Sequence, residues 1–295
     1  MEHAASPVRT LFAEIKFSHS IFSFPFAIFG AFLAATGWPS VAQLGLIAIC
    51  MLSARTFAMA SNRLIDRRLD AANPRTSGRA LPAGRLSVGH ARAGILLSGG
   101  VFLLACAGFA VLPAQPSMWP LWLGLPTLVF LAGYSYMKRF TSFCHLYLGA
   151  AIAFSPVAAW LAISPESLGW SAALLCAGVA FWIAGFDIIY ALQDLEHDRR
   201  AGLHSVPARL GAGGALLVSR ILHLLCMGMF AGVGMLEALG GWWWMGLGLG
   251  CGALAAEQAL VEANDLSRVN LAFFTFNGVV SVVLGVAGCV AVVAR

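Results

Sequence analysis

Long apolar segments separated by short polar connections repeat along the whole chain. Each segment is close to the roughly 20 residues that a helix needs to cross a bilayer. Glycine and proline lie inside several of them, which membrane helices tolerate. The pattern predicts an all-α, polytopic transmembrane bundle of about nine helices in one integral-membrane domain over residues 1–295, with spans at 17–37, 41–61, 91–111, 119–137, 143–163, 170–191, 213–236, 241–262 and 269–294.

The composition agrees with a membrane protein. Of the 295 residues, 60% are hydrophobic and 11% are charged, whereas soluble domains carry about 25% charged residues. The first apolar segment is too long for a signal peptide, and further spans follow it. The seven cysteines are scattered without a C-x-x-C pair, so we expect small buried side chains rather than disulfides or metal ligands.

Basic residues lie almost entirely on one side of the predicted bundle. All but two of the 18 Lys and Arg residues precede the first span or flank the connections after spans 2, 4, 6 and 8; the exceptions are Arg55 and Arg295. The positive-inside rule therefore places the N-terminus and these connections in the cytoplasm, at the inner membrane if the protein is bacterial. The net charge of +5 then reflects topology and the handling of phosphate groups; we expect membrane lipid around the protein, and nothing indicates a nucleic-acid partner.

Two long cytoplasmic connections, about 63–90 and 194–212, each begin with clustered carboxylates. Asn62, Asp66 and Asp70 are spaced i, i+4, i+8, and Asp194 and Asp198 are spaced i, i+4. On a helix each set points along one face, and the second predicted helix should project beyond the membrane to carry the first set. Because the chain has only 13 acidic residues, two such Asp-rich loops predict a site for Mg²⁺ shared with a phosphate group.

Basic side chains beside the acidic clusters fit a diphosphate. Two carboxylates about 4 Å apart repel by about 4 kcal/mol at an effective dielectric near 20, and a bound Mg²⁺ would turn that repulsion into an anchor for the diphosphate. Arginine can hold the remaining phosphate oxygens in bidentate fashion. The sequence thus predicts a leaving-group site above an apolar bundle that receives a hydrocarbon, with phosphate contacts from Arg75, Arg79, Lys138 and Arg139.

The alternative interpretation is that charges at helix ends form solvated salt bridges of little energetic value. We apply it to the remaining arginines beside the clusters, and we expect the first of them to face away from Asp66. They are Arg63, Arg67, Arg68, Arg199 and Arg200.

Arg55 lies two helical turns before Asn62, inside the membrane. An intramembrane arginine costs about 2.5–3.5 kcal/mol even on a permissive insertion scale. A carboxylate on an aromatic substrate or a diphosphate oxygen would satisfy it. The structural alternative is pairing with Asp187 or with a helix end.

Further polar residues lie near the second cluster and elsewhere in the spans. Asp187, seven positions before Asp194, faces the same predicted cavity, and Tyr190 and Gln193 can orient substrate or ligands. His19 fits an interfacial side chain better than a catalytic base. Asn277 fits an interhelical hydrogen bond.

These residues resemble the motifs of the UbiA superfamily of intramembrane prenyltransferases, over nearly the whole chain. The matching stretches are Asn62-x₃-Asp66-x₃-Asp70 with Asn73-Pro74-Arg75-Thr76-x₂-Arg79-x-Leu81-Pro82-x-Gly84, and Asp187-x₂-Tyr190-x₃-Asp194-x₃-Asp198-x₃-Gly202-x₂-Ser205. The family often carries Asp directly after the Asn of the first motif. Arg63 occupies that position here, which leaves the exact ligand set open.

The resemblance implies Mg²⁺-dependent transfer of a polyprenyl group from its diphosphate to an aromatic acid, with release of diphosphate. The most similar subgroup is the 4-hydroxybenzoate polyprenyltransferases of ubiquinone synthesis. The Lys16–Pro25 segment and Lys138 through His145 are also similar to a relative in the futalosine route to menaquinone, whose acceptor is a carboxylated dihydroxynaphthalene. The resemblance assigns metal binding to Asn62, Asp66, Asp70, Asp194 and Asp198.

The catalytic roles stay open between two carboxylates. Asp187 or Asp70 is the candidate that orients the acceptor or takes up the released proton, with Tyr190 beside them. A transporter is the main non-enzyme alternative, but transporters place charges near mid-membrane in interrupted helices, whereas nearly all charges here lie at one end.

Overall fold

The protein is described by a computed structural model that covers Thr10, Glu14 and residues 22–295. The predictions that concern His19 and the Lys16–Pro25 segment before residue 22 lie outside the described residues. The described chain is helical, with one isolated β-bridge between Glu262 and Asp265. Its helices are α1 (Phe24–Ala35), α2 (Val41–Ile65), α3 (Arg67–Ala72), α4 (Val88–Gly108), α5 (Trp119–Met137), α6 (Cys144–Ile163), α7 (Trp170–Ala191), α8 (Leu195–Arg200), α9 (Val206–Leu236), α10 (Gly241–Leu260) and α11 (Val269–Val293).

The predicted all-α membrane architecture is confirmed, but the number of spans is not. Six helices are long and apolar enough to cross a membrane: α2, α4, α6, α7, α9 and α11. Every predicted span also contains a helix, but α1 has only 12 residues, and α5 and α10 fall outside that apolar set. The count of about nine spans therefore stays a prediction.

Small residues let the helices approach closely. A Cβ added to Gly149 of α6 would lie 2.3 Å from the carbonyl oxygen of Ala180 in α7, so the two backbones touch there. Membrane helices associate through such contacts because lipid offers no hydrophobic driving force between them. Around this contact an aromatic core joins α1, α7 and α9, in which Phe26 stacks on Phe230 at 5.4 Å between ring centroids and packs against Trp182 at 5.3 Å.

Both acidic segments leave their membrane helix at a bend. Helix α2 ends at Ile65, and Asp66 adopts φ −89°, ψ 4° before α3 begins. The backbone bonds from Asp66 N to Asn62 O (2.9 Å) and from Asp70 N to Asp66 O (2.8 Å) nevertheless continue across it. The helical spacing of this set is thus kept, although the predicted projecting helix is interrupted. After α7 a 3₁₀ turn over Leu192–Asp194 leads into α8 in a similar way.

Helix α9 is divided near its start. Ser205 caps it by accepting from Ala208 N at 3.3 Å, and Gly211 then takes φ 70°, ψ 177° inside the helix. That φ lies in the region that glycine alone enters at little cost. The first turn of α9 is therefore a separate piece from the membrane-spanning part.

A buried polar network lies away from these bends, between α7, α9, α10 and α11. Glu257 is fully buried and accepts from Asn277 Nδ2 at 2.6 Å, while Trp182 Nε1 donates to Asn277 Oδ1 at 2.7 Å. Gln258 Nε2 lies 3.0 Å from His223 Nδ1 and donates to Ser219. The predicted interhelical role of Asn277 agrees with these bonds. The neighbouring Ala272–Phe276 turn is π-helical, and Phe273 packs on Tyr190 at 4.4 Å between centroids.

Candidate active site

The bends bring acidic and basic side chains together at one end of the bundle, here called the acidic end. Asp66 is only 3% exposed and accepts from Asn62 Nδ2 at 2.8 Å and from Arg139 Nη2 at 2.9 Å. Lys138 Nζ lies 3.7 Å from Oδ2 of Asp66, the oxygen that Asn62 also bonds. Two cations and one amide therefore compensate this buried carboxylate, as buried charge requires.

Asp70 has a similar environment on α3. Arg79 Nη1 donates to its Oδ1 at 2.7 Å, and the hydroxyl of Thr76 donates to its backbone oxygen at 3.0 Å. The second carboxylate oxygen, Oδ2, is buried without a hydrogen-bond partner in the described structure. An orphaned buried carboxylate oxygen is a strong acceptor, and it can bind either a cation or a donor that a substrate brings.

The second acidic segment is tied to the first through Asp194. Arg75 donates to both of its oxygens, from Nε to Oδ1 at 2.8 Å and from Nη2 to Oδ2, and Asn73 Nδ2 donates to Oδ1 at 2.8 Å. Arg75 Nη1 also donates to the Tyr190 hydroxyl at 3.2 Å. Burial opposes the charge of the Arg75 guanidinium, but its bonds to Asp194 and Tyr190 prevail and raise its pKa.

Lys138 and Asp198 complete the acidic end. Lys138 interacts electrostatically with Asp194 and Asp198 as well as with Asp66, so one ammonium group is shared by both acidic segments. Asp198 is buried and bonds the hydroxyl of Ser205 at the start of α9. The structure thus brings both predicted clusters and all four predicted phosphate-binding cations together. Gln193 instead donates to the backbone oxygen of Tyr190 at 3.2 Å.

One of the five arginines interpreted as surface charges is buried, contrary to expectation. Arg63 is 7% exposed, donates to Asn62 Oδ1 at 3.0 Å and lies 3.3 Å from Glu14. It therefore orients the Asn62 amide rather than facing away. Arg68 and Arg200 are exposed, as expected, and Arg199 pairs with Glu196 only at 3.9 Å. Arg67 is half-buried and caps the Leu64 oxygen at 2.9 Å.

An apolar cavity of about 470 Å³ lies deeper, between α2, α4, α5, α6 and the start of α1. Arg55, Tyr134 and Ser155 are polar members of its wall. Arg55 is seven residues from Asn62, or about 10 Å along the helix axis, and Tyr134 precedes Ser135, which hydrogen-bonds Asn62 at 3.2 Å. The cavity therefore lies inward of the acidic end, on the same helices that carry Asn62 and Ser135.

Asp187 pairs with a histidine rather than with Arg55. His145 Nδ1 lies 2.7 Å from Asp187 Oδ2, and His145 Nε2 accepts from the backbone N–H of Val206 at 3.2 Å. The Asp187 side chain keeps 24% of its surface exposed. The predicted alternative of an Asp187–Arg55 pair is not what the structure shows.

The donor set suits a metal ion in its chemistry, but its side chains are not grouped around one ion. Among Thr10, Glu14 and residues 22–295, no three His, Cys, Asp or Glu side chains are grouped as they would be around one ion. Asp66, Asp70 and Asp194 each pair with basic side chains instead. The donors are nevertheless all oxygen, as Mg²⁺ prefers, and Asp70 Oδ2 is free to accept.

Comparison with known proteins identifies the family. The sequence profile described as the UbiA prenyltransferase family matches residues 23–279. The chain belongs to this family. It is 31% identical over 246 residues to a "4-hydroxybenzoate octaprenyltransferase" of Chromohalobacter salexigens, covering 83% of this chain and 80% of the relative. It is 32% identical over 223 residues to a "4-hydroxybenzoate solanesyltransferase" of Synechocystis sp., covering 76% of this chain and 73% of the relative.

Solved structures agree with the fold. The apo structure of a UbiA homologue from Aeropyrum pernix K1 superposes with a TM-score of 0.81 at 29% identity, covering 91% of this chain and 96% of that one. A UbiA homologue from Archaeoglobus fulgidus, bound to DMAPP and Mg²⁺, superposes with a TM-score of 0.73 at 19% identity. The match covers 97% of this chain and 99% of that one. The predictions of a UbiA-type protein and of an aromatic polyprenyltransferase enzyme are confirmed, and the transporter alternative falls away.

Proposed function

We propose that this UbiA-family enzyme transfers a polyprenyl group from its diphosphate to an aromatic acid of the 4-hydroxybenzoate type in quinone synthesis. The observation that carries the proposal is the stacking of two sites: paired carboxylates and cations at the acidic end, and an apolar cavity that contains Arg55 beneath them. The names of the bacterial relatives support the acceptor class. We further propose that the acidic end faces the cytoplasm, because the basic residues collect there.

The acidic end supplies the groups that hold a leaving diphosphate. Arg75, Arg79, Lys138 and Arg139 each already contact a carboxylate, so their positions are fixed before substrate arrives. A diphosphate can exchange with those carboxylates for the same guanidinium donors, which bind phosphate oxygens bidentately. Such preorganised cations favour the state in which negative charge collects on the departing oxygen.

Magnesium is the metal that this donor set suits. We propose that Asp66, Asp70 and Asp194 hold it, with Asn62 and Asp198 beside them, and the Mg²⁺ of an A. fulgidus UbiA homologue agrees with that choice. When bound, it would neutralise charge on the diphosphate as a Lewis acid. The basic side chains now on these carboxylates are then available to the phosphate oxygens.

Inside the cavity, Arg55 is the group that can pair with an acceptor carboxylate. It is the basic residue of an otherwise largely apolar wall, and Tyr134 lies within its electrostatic reach. The charged pair would orient the aromatic ring toward the acidic end, where the allylic carbon of the prenyl diphosphate lies. Binding energy from the carboxylate is thus used to position the reacting carbon.

The proposed reaction breaks one bond and forms another. The allylic C–O bond of the prenyl diphosphate breaks, the electron pair leaves with the diphosphate, and the apolar cavity surrounds the cation that remains. The ring carbon ortho to the phenol oxygen attacks that cation and then loses its proton. Asp187 and Asp70 are the carboxylates available to accept the proton, and the hydroxyl of Tyr190 fixes Arg75 beside the leaving group.

The test is mass spectrometry of the products made by purified protein in detergent or nanodiscs. It uses Mg²⁺, octaprenyl diphosphate, and a panel of 4-hydroxybenzoate, benzoate, a carboxylated dihydroxynaphthalene and its decarboxylated form. We expect C-prenylated 4-hydroxybenzoate. Prenylation of the naphthalene acid alone would favour the menaquinone alternative, and transfer to neither acid would contradict the proposal.

A further inference from the structure

One imidazole joins three helices at the acidic end. His145 lies in the first turn of α6 and is 4% exposed, Asp187 lies on α7, and Val206 begins α9. His145 Nδ1 is 2.7 Å from Asp187 Oδ2, and the Val206 N–H points at Nε2 from 3.2 Å. The sequence motifs assign His145 no role.

These two contacts define the protonation state of the ring. A backbone N–H can only donate, so Nε2 must present its lone pair to Val206 and carries no proton. The single ring proton is then on Nδ1, where it is donated to Asp187 Oδ2. The ring is a neutral imidazole that has one donor and one acceptor, both already in use.

We propose that His145 is a positioning residue for the transfer reaction. It bonds Oδ2 of Asp187 and leaves the other oxygen to accept the proton that the aromatic ring loses. The inference rests on the proposed function, in which Asp187 is one of two candidate acceptors. It selects Asp187 over Asp70, because Asp70 is already bonded by Arg79 at 2.7 Å and is one of the proposed metal ligands.

The role also links the start of α9 to the reaction. Val206 follows Ser205, whose hydroxyl bonds Asp198, so the same turn contacts both the acidic end and His145. The N–H of Val206 fixes which nitrogen is protonated, and the tautomer in turn fixes Asp187. Backbone hydrogen bonds commonly set the tautomer of a functional histidine in this way.

Substitutions of His145 test this chemistry. Glutamine has one amide donor and one carbonyl acceptor, so His145→Gln can reproduce both bonds without any titratable ring, whereas His145→Leu reproduces neither. With saturating substrates we expect kcat of His145→Leu to fall by about 10²-fold, within the usual contribution of a positioned base. The KM for the prenyl diphosphate should stay within about twofold. His145→Gln should stay within about fivefold of wild type in kcat.

Each contrary outcome is decisive. If His145→Gln is as slow as His145→Leu, the ring itself carries the proton or fills space, and the positioning role is wrong. If His145→Leu is as fast as wild type, Asp187 needs no partner. Thermal unfolding of each variant in detergent identifies loss of folded protein. If wild type prenylates no aromatic acid, the proposed function fails instead, so the two failures are distinguishable.

Two further variants avoid changing the histidine. Val206→Pro removes the N–H donor together with the valine side chain, directly before Pro207; proline suits the first helical position, and the extended ψ of Ser205 (158°) accepts a following proline. It should lower kcat by about three- to tenfold, since one neutral hydrogen bond contributes about 1 kcal/mol. Asp187→Asn should lose at least as much kcat as His145→Leu, and the double variant should lose little more, as expected for one unit. Full additivity would show that the two residues act independently.

Discussion

Two regions of this protein bury carboxylates, and they neutralise them in opposite ways. At the acidic end Asp66, Asp70 and Asp194 each face at least one guanidinium or ammonium group. In the second half of the bundle Glu257 is fully buried, and its hydrogen bond comes from the amide of Asn277. The first arrangement holds paired full charges, and the second holds a carboxyl group among neutral dipoles.

The difference separates a site that exchanges partners from one that keeps them. A cation bound to a carboxylate can be taken by a phosphate at little net loss if the proposed metal ion compensates the carboxylate that the cation leaves. The amide of Asn277 also serves Trp182 and cannot leave without stranding two buried groups. Charged pairs at the acidic end therefore suit binding and chemistry, whereas the Glu257 network suits interhelical packing.

Removal of divalent cations should have the largest effect on the first region. Without a metal, a diphosphate that takes the basic side chains would leave the buried carboxylates uncompensated, so excess EDTA should abolish prenyl transfer and Mg²⁺ should restore it. Product formation by mass spectrometry measures this. Transfer that persists in excess chelator would show that the basic side chains suffice on their own.

Replacement of a single carboxylate at the acidic end should have the next-largest effect on turnover. Asp66→Ala and Asp194→Ala should each lower kcat by at least roughly 10²-fold, because each removes a proposed ligand of a Lewis acid that is worth several kcal/mol. Neither removes apolar packing, and the arginines left behind reach solvent (Arg75 29% and Arg139 32% exposed), so insertion should be kept with only a modest loss of thermal stability. Steady-state kinetics with a melting curve check both. Wild-type turnover in either variant would place the chemistry elsewhere.

Arg55→Leu should separate the two substrates. The charge lost from the cavity wall leaves an acceptor carboxylate unpaired, which costs about 3–5 kcal/mol and should raise the KM for the aromatic acid by two orders of magnitude or more. The KM for the prenyl diphosphate should change little. The reverse pattern would assign Arg55 to the leaving group.

Glu257→Leu should act on stability alone. It leaves the Asn277 amide without its acceptor, which costs about 1–3 kcal/mol and lowers the melting temperature in detergent. Turnover per folded molecule should be nearly unchanged. Glu257→Gln is the matched control, because its carbonyl oxygen can still accept from Asn277. A loss of kcat in the leucine variant would show that the two regions are not separate.

Arg200→Ala should change least of all. The side chain is exposed on α8, outside every charged pair that the described residues form with the acidic end. Kinetics and melting temperature should match wild type within error. A defect as large as that of Asp194→Ala would show that loss of any charge at this end impairs the protein. The effect of Asp194→Ala would then not be specific to catalysis.

Spacing along single helices explains what could be predicted. The i, i+4, i+8 rule places Asn62, Asp66 and Asp70 correctly even across the bend, because the i→i+4 backbone bonds persist there. Arg55 follows from the same helix and lines the cavity as expected. Hydropathy is sufficient for the helices themselves, since each predicted span is a contiguous apolar segment.

Contacts between segments distant in the chain account for the features that could not be predicted from the sequence. Arg63 is buried against Glu14, and Asp187 meets His145, although neither pair shares a helix. Periodicity shows which face of a helix a residue occupies but not which neighbour that face meets. Glu257 gives no signal in the sequence, because a single carboxylate within an apolar segment has no partner nearby in the chain; Asn277 supplies the partner from α11.

The kink at Gly211 has a consequence for how this sequence can vary. With φ at 70°, any side chain at this position adds backbone strain, although the nearest atom, Arg199 Nη2, would make only an ordinary contact with a Cβ at 3.6 Å. A non-glycine residue there costs of order 1–3 kcal/mol. In a saturation-mutagenesis library selected for quinone production, codon 211 should therefore return almost only glycine, even though it encodes no side chain that a substrate could touch.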